Sequence, residues 1–430
     1  MKIKLTLTDQ FILIAIASTM LYIVSENLPF GLGSFRFIWG PLSLIVILIS
    51  RPKAYSYGPI RIILLLIFLF VGVLQYLLWN FMDEFNRRLL FEDSYALLVF
   101  SSMWSYFMVK SDFEKLAVIS KYAFVFSLIT IIGTNLALNI DPNIVRESAA
   151  GYRENANQIA LAKYTGLASY GYSQALVLLI PVLVFHIKKR KPIIFSHKVL
   201  RIVLIVLLLT IIRSNVFANL LIAAFITFLS ILGSKKPIAL FSYLVFFLFI
   251  FVVIPNTVYS NIFSYFGSLF ESGSEMNTKL NDFAFFILNP ELDNSTGAAS
   301  RVERYPLLFD AFLSNPLFGV SSFRYSIDIS EGGHLYWMNK LVQIGLLGFL
   351  FYIAVLYKLY RNIISVFNDA EIRYYYLLSI IAFIVIGLTK NMDGREPWLM
   401  IILIIPGLYI LPFSSKKLIS NGKKIKRNAD

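Results

Sequence analysis

Apolar stretches close to the length of a membrane span recur along almost the whole chain, and no other feature limits the fold as strongly. A helix rises about 1.5 Å per residue and the hydrocarbon core is about 30 Å thick, so roughly 20 mostly apolar residues suffice to cross it. Candidate spans centre on 9–25, 34–50, 61–79, 94–110, 116–138, 170–187, 194–212, 214–233, 237–255, 335–357, 373–389 and 396–413. Arg36 and Pro41 interrupt the second. The expected fold class is all-α: a polytopic membrane protein of about 12 transmembrane helices. Residues 1–430 would form a single integral membrane domain, with 256–334 as one large extracytoplasmic loop within it.

The block "IVLIVLLLTIIRSNVFANLLIAAFITFLSIL", residues 202–232, has two readings. As one helix it would run about 46 Å and leave Arg213 near mid-bilayer, where a guanidinium is costly. As two spans it sets Arg213 at a tight turn.

Charge decides between them. The chain is 58% hydrophobic and 15% charged, against about 25% charged in soluble domains, yet its formal net charge is +14. With twelve spans and both termini inside, most of the 39 Lys and Arg fall on the cytoplasmic side. Of the 25 acids only Asp9, Asp112, Glu114, Asp369, Glu371 and Asp430 join them. Merging the block into one span would export the tail "KKLISNGKKIKR", against the positive-inside bias. The two-span reading keeps the tail in and turns Arg213 outward. The basic excess is then an orientation signal with lipid-headgroup contact, and nucleic acid is not an expected partner. Lys2 and Lys4 ahead of "FILIAIASTMLYIV" resemble a signal peptide, but no small-residue cleavage site follows, so a retained first helix is expected. The absence of cysteine removes disulfides and thiolate chemistry.

Chemistry should lie on the outer face. The 80–93 loop reads as a solvated turn, and 139–169 is longer and more polar. The 256–334 loop is the stretch able to fold outside the bilayer, and long loops in compact proteins are more often functional than idle. Within it "SRVERYPLLFDAFLSNPLFGVSSFRY" brings Arg301, Arg304 and Phe309 near one another if helical, with "NPLFGV" as a stop and turn. "GGHLYWMNKLVQIGLLGFL" sets His334 at the mouth of an apolar run, after two glycines. A guanidinium fork suits a diphosphate, and a neutral imidazole suits proton abstraction from a hydroxyl. The plainer readings carry equal weight at this point: outer arginines often meet headgroups, and lone histidines often cap helices. His186 and His197 fall among inner-loop lysines, so no metal-ligand spacing accompanies His334, and no cofactor is expected. No Gly-rich phosphate loop with Lys-Ser/Thr occurs, and charges inside the spans are few, which disfavours ATP-driven and ion-coupled transport.

Four stretches, in order, resemble the superfamily of O-antigen polymerases (Wzy-type) and O-antigen ligases of bacterial envelopes. "GYRENANQIA" is similar to that family's Gly-x-x-x-Asn-Pro-Asn-x-x-Ala segment and puts Asn157 at its second Asn, with Ala156 where Pro is usual. "TIIRSNVFANLL" is similar to its Ser-Arg-small-Ala turn, pointing to Arg213. "SRVERYPLLFDAFLSNPLFGV" resembles Gly-Arg-x-x-x-Trp…Asn-Pro-Leu-x-Gly-Val, matching Arg301 and setting Tyr305 at the Trp. "GGHLYWMNKLVQIGLLG" is similar to His-Asn-x-x-Leu…Glu-x-Gly-Leu-Leu-Gly, with Leu335 for the common Asn and Gln343 for the usual Glu.

The resemblance implies an enzyme that transfers a glycan from an undecaprenyl diphosphate carrier to an acceptor, without nucleotide sugar or metal. Arg213 and Arg301 would hold the donor diphosphate, and His334 would be the base for the acceptor hydroxyl. Arg304, Asn157, Glu331, Arg153 and Arg324 would bind and orient substrate. A polymerase of lipid-linked repeat units, building O-antigen or capsule, is the first expectation. A ligase to lipid A core or another acceptor is the alternative, and a lipid-linked oligosaccharide flippase the third. The implied setting is the bacterial cytoplasmic membrane, multi-pass, with the active face extracytoplasmic. Partners would be undecaprenyl-diphosphate-linked glycans, membrane lipids, and a chain-length regulator and flippase of the same pathway.

Overall fold

The computed structural model describes residues 4–21, 38–58, 60–61, 64, 84–140, 144–145, 170–214, 216–233, 242–243, 245–246, 249, 253–289, 304–319, 335–392 and 394–411. Every regular element among them is helical. The first half contributes α1 (Leu7–Met20), α2 (Gly40–Ser50), α3 (Lys53–Ser56), α4 (Glu84–Lys110), α5 (Phe113–Ile140) and α6 (Tyr170–Lys189). The second contributes α7 (His197–Arg213), α8 (Phe217–Leu232), α9 (Asn256–Ser268), α10 (Glu275–Leu288), α11 (Arg304–Ser314), α12 (Tyr336–Val366) and α13 (Ala370–Thr389). In α14 the segments Arg395–Leu399, a π-helical Met400–Ile404 and Ile405–Ile410 follow one another without a break.

Among the described residues four helices are long and apolar enough to cross a membrane by length and composition: Phe113–Ile140, Gly171–Lys189, Tyr336–Val366 and Ala370–Thr389. Leu7–Met20, Gly40–Ser50 and Ala218–Leu232 are shorter apolar helices. The expected spans 61–79 and 237–255 fall largely outside the described residues. The ambiguous block 202–232 is two helices, α7 and α8, with the break directly after Arg213.

The burial pattern differs from that of a soluble bundle in that the periphery is as apolar as the core. α14 is apolar on all sides and buried from Glu396 to Ile410, as expected of a helix surrounded by others. On the periphery the exposed side chains are themselves apolar: Ile129, Ile132 and Leu136 on α5, Ile202, Ile205 and Leu209 on α7, and Leu346, Leu350 and Tyr357 on α12. The buried side of α7, with Leu200, Leu207 and Ile211, is no more apolar than its open side. Water would penalise such a surface, whereas hydrocarbon would not.

With no lipid–water contrast to drive helix against helix, close approach and interhelical hydrogen bonds carry the packing. Ser120 lies so close to Gly407 that a Cβ at Gly407 would sit 1.9 Å from its hydroxyl. Pro181 removes one backbone bond inside α6, and Ser379 of α13 donates to the neighbouring Leu178 carbonyl at 2.9 Å. His186, expected among loop lysines, is instead buried inside α6. Its ring nitrogens lie 3.1 Å from the Lys191 carbonyl and 3.2 Å from that of Leu408.

Polar contacts sort the helix ends into two groups. At the lysine-rich end Asp9 accepts from Lys115 and Tyr106, and Arg51 pairs with Asp112 at 2.5 Å. There too Lys189 pairs with Glu371 at 2.6 Å, and Lys188 donates to the Ile231 carbonyl. At the far end Thr130 reaches the Met20 carbonyl, Asn135 reaches Thr210, Gln174 reaches the Asn391 carbonyl, and the Tyr336 N–H meets the Lys390 carbonyl. Traced through these anchors, the chain enters α1 at the lysine-rich end and leaves α14 there.

Candidate functional site at the far end

The far end gathers the starts of α6, α8, α12 and α14 and the ends of α5, α7 and α13. Helix starts carry partial positive charge, which suits an anion placed over them.

Arg213 is the last residue of α7, and α5 fixes its direction. Its Nη2 donates to Asn139 Oδ1 at 2.7 Å, and Nη1 lies 3.3 Å from Asn135 Oδ1. Asn135 and Asn139 are one helical turn apart, so both amides face the same guanidinium. Asn135 is braced in turn by donating to Thr210 Oγ1 at 2.6 Å. These partners are neutral acceptors: they orient the fork without cancelling its charge.

Arg304 opens α11, where burial lowers its guanidinium below the ordinary value. Loss of the proton within the physiological range does not follow, since arginine starts far above it. The Tyr305 hydroxyl donates to the Leu388 carbonyl at 2.5 Å, tying α11 to the end of α13, and burial raises its pKa. Leu308 and Ala311 pack on Leu335 and Val342, so α11 lies across the start of α12.

Two sequence motifs are clasped together here. α11 stops at Ser314, and the Asn315–Gly319 turn runs into a break in α12 at Gly345, whose φ is 64° and ψ −179°. The break redirects the next two amides: Leu346 donates to the Pro316 carbonyl at 2.8 Å and Leu347 to that of Leu317 at 3.2 Å. Just upstream, Leu335 is held in the left-handed region at φ 69°, a conformation costing a non-glycine residue about 1–2 kcal/mol. It is buried all the same. The residue that follows His334 is therefore fixed by tertiary contacts rather than by its own preference.

Of the residues expected to form the site, Arg213 and Arg304 are described and both lie at this end. His334, Arg301, Asn157, Glu331, Arg153 and Arg324 lie outside the described residues.

Sequence reading passed over a second polar set. Lys340, Gln343, Lys390 and Glu396 are buried, and Arg395 opens α14. Lys340 Nζ stands 5.4 Å from the Tyr336 ring centroid. Glu396 lies over the crossing of Gly171 and Gly394, where a Cβ on Gly171 would come within 2.8 Å of its carboxylate. Asn219, at the start of α8, donates to Ser173, while its neighbour Gln174 reaches Asn391. The available signal was "KNMDGREP", dense in charge for a connection too short to leave a membrane surface, and Lys340 inside an apolar span. No protein-family model matches the chain, and no curated protein matches it in sequence.

Proposed function

We propose that this chain is a twelve-span glycosyltransferase of the bacterial cytoplasmic membrane. It would join undecaprenyl-diphosphate-linked repeat units into a longer surface polysaccharide at the far, extracytoplasmic end, with both termini cytoplasmic. The orientation of Arg213 carries the reading. A guanidinium held by two neutral amides at a helix end, in a ring of helix starts, is pre-organised for a diphosphate and keeps its charge available. The two groups into which the described helix ends fall support the topology, and the apolar composition of 61–79 and 237–255 agrees with it.

In the proposed reaction Arg213 and Arg301 stabilise the carrier diphosphate as the glycosidic carbon–oxygen bond to it breaks. His334 takes the proton of the acceptor hydroxyl as the new bond forms. Arg304, Asn157, Glu331, Arg153 and Arg324 orient the two glycans. The test uses purified protein in lipid nanodiscs with lipid-diphosphate-linked repeat units as sole substrate. Products of two or more repeats on one carrier support a polymerase. Transfer only to an added lipid A core acceptor makes it a ligase.

One observation favours a second reading. The buried Lys340, Lys390 and Glu396 are of the kind that lines a polar path for a lipid-linked oligosaccharide crossing the bilayer. Movement of unchanged repeat units across vesicles, with no chain growth, would establish that reading instead.

A further inference from the structure

Helix α9 carries three different faces. At about 100° per residue, Ser260, Phe263, Gly267 and Phe270 lie on one side. That side packs: Phe263 meets Phe283 edge-on at 4.8 Å, Asn277 Nδ2 donates to the Gly267 carbonyl, and the α9–α10 pair rests on Leu220 and Leu221 of α8. A second side, Thr257, Asn261, Ser264 and Ser268, is exposed and polar. The third, Val258, Ile262, Tyr265, Phe266 and Leu269, is exposed and apolar, with Tyr265 65% and Leu269 62% accessible. A hairpin standing in water would gain from polar residues on both open sides.

The sequence names the occupant of the apolar side. From Pro237 to Phe270 there is no charged residue, and Val245, Phe246, Phe249 and Val253 ahead of α9 are likewise exposed and apolar. The stripe on α9 thus continues an uncharged surface that hydrocarbon would cover. The hairpin is anchored on the first turns of α8, at the level where α7 and α8 meet. Two tyrosines and three phenylalanines within α9 and its exit are the composition of a lipid–water boundary.

We propose that α9 lies in the headgroup–acyl boundary of the bilayer leaflet at the far end, its Val258–Leu269 stripe in lipid and its Thr257–Ser268 stripe in water. The start of the long 256–334 segment is then a membrane-riding hairpin rather than part of a free domain, seated beside the turn that bears Arg213. The contact is apolar and independent of anionic lipid, because the stripe carries no cation. This rests on the membrane reading and not on glycosyl transfer, so an inactive preparation in the transfer assay leaves it unaffected.

The chain has no cysteine, so single cysteines can be placed without a background. Full-length protein in phosphatidylcholine nanodiscs would carry a nitroxide at Ile262→Cys or Leu269→Cys, with Asn261→Cys and Ser268→Cys as the water-facing pair; all four sites are exposed. The first pair should collide more with dissolved oxygen than with a water-soluble nickel complex, and the second pair the reverse. Adding phosphatidylglycerol should change neither. Nickel accessibility at Ile262 and Leu269 equal to that at Ser268 would overturn the proposal. So would protection from both reagents with spin–spin broadening between copies, which would mean that a second chain covers the stripe.

Discussion

Gly345 and Gly319 meet backbone to backbone: a Cβ built on Gly345 would lie 2.4 Å from the Gly319 nitrogen and from the Leu317 carbonyl oxygen. Both residues have positive φ, 64° and 83°. The contact joins the turn after α11 to the break in α12, so the Arg304 helix and the segment leading from His334 share one rigid support.

Gly345→Ala is therefore expected to be severe. At φ 64° and ψ −179° the backbone lies in a region open essentially to glycine alone, so a side chain there costs about 1–3 kcal/mol, and overlap with main-chain atoms adds to it, since neither backbone can yield cheaply. Gly58, where a Cβ meets nothing within 4 Å, supplies the control. Thermal unfolding in detergent should fall by several degrees for Gly345→Ala and stay unchanged for Gly58→Ala.

Arg213 should depend on its two asparagines. Asn139→Ala removes a hydrogen bond to a charged group, worth about 1.5–3 kcal/mol where it is fully expressed, and frees the fork to swing. Transfer should drop by about 10-fold or more, the change that about 1.4 kcal/mol produces, with little loss of stability at this exposed contact. Arg213→Lys keeps the charge but loses the fork and should fall at least as far. Equal activity of Arg213→Lys and the parent would remove Arg213 from diphosphate binding.

Apolar period and length were enough to anticipate the helices among the described residues, and the distribution of Lys and Arg was needed to divide 202–232 at Arg213. "NPLFGV" was legible as a stop because Pro and Gly fix backbone geometry locally. The docking of that turn into α12 was not, since nothing local to Gly345 specifies a partner some thirty residues away. Lys340 and Glu396 escaped notice for a different reason. A charge inside an apolar window counts against a span in hydropathy, while its meaning depends on which neighbours face it.

The start of α1 is fastened by charge, and Asp9→Asn should loosen it. Asp9 is fully buried and accepts from the Thr6 amide and hydroxyl, the Tyr106 hydroxyl and Lys115 Nζ at 2.9 Å. Neutralising it leaves Lys115 facing an amide and one acceptor position turned into a donor. Removing one partner of a fully buried pair costs about 3–5 kcal/mol, and Lys115, at 19% exposure, reduces this to roughly 1–3 kcal/mol. Unfolding followed by tryptophan fluorescence should show the loss, and Asp9→Glu should recover part of it.

The proposed role of His334 predicts a pH dependence. A base must begin neutral, so protonation of the imidazole in acid removes the competent form. Transfer should rise with pH and then level off. In His334→Ala the rate should be lower by about 100-fold or more, and that step should vanish, since a positioned base contributes about 10²–10⁴-fold. The loss of the step is the sharper criterion, because damage to the fold lowers the rate at every pH and leaves its shape intact. A His334→Ala protein with the parent's pH profile would mean that another group takes the proton.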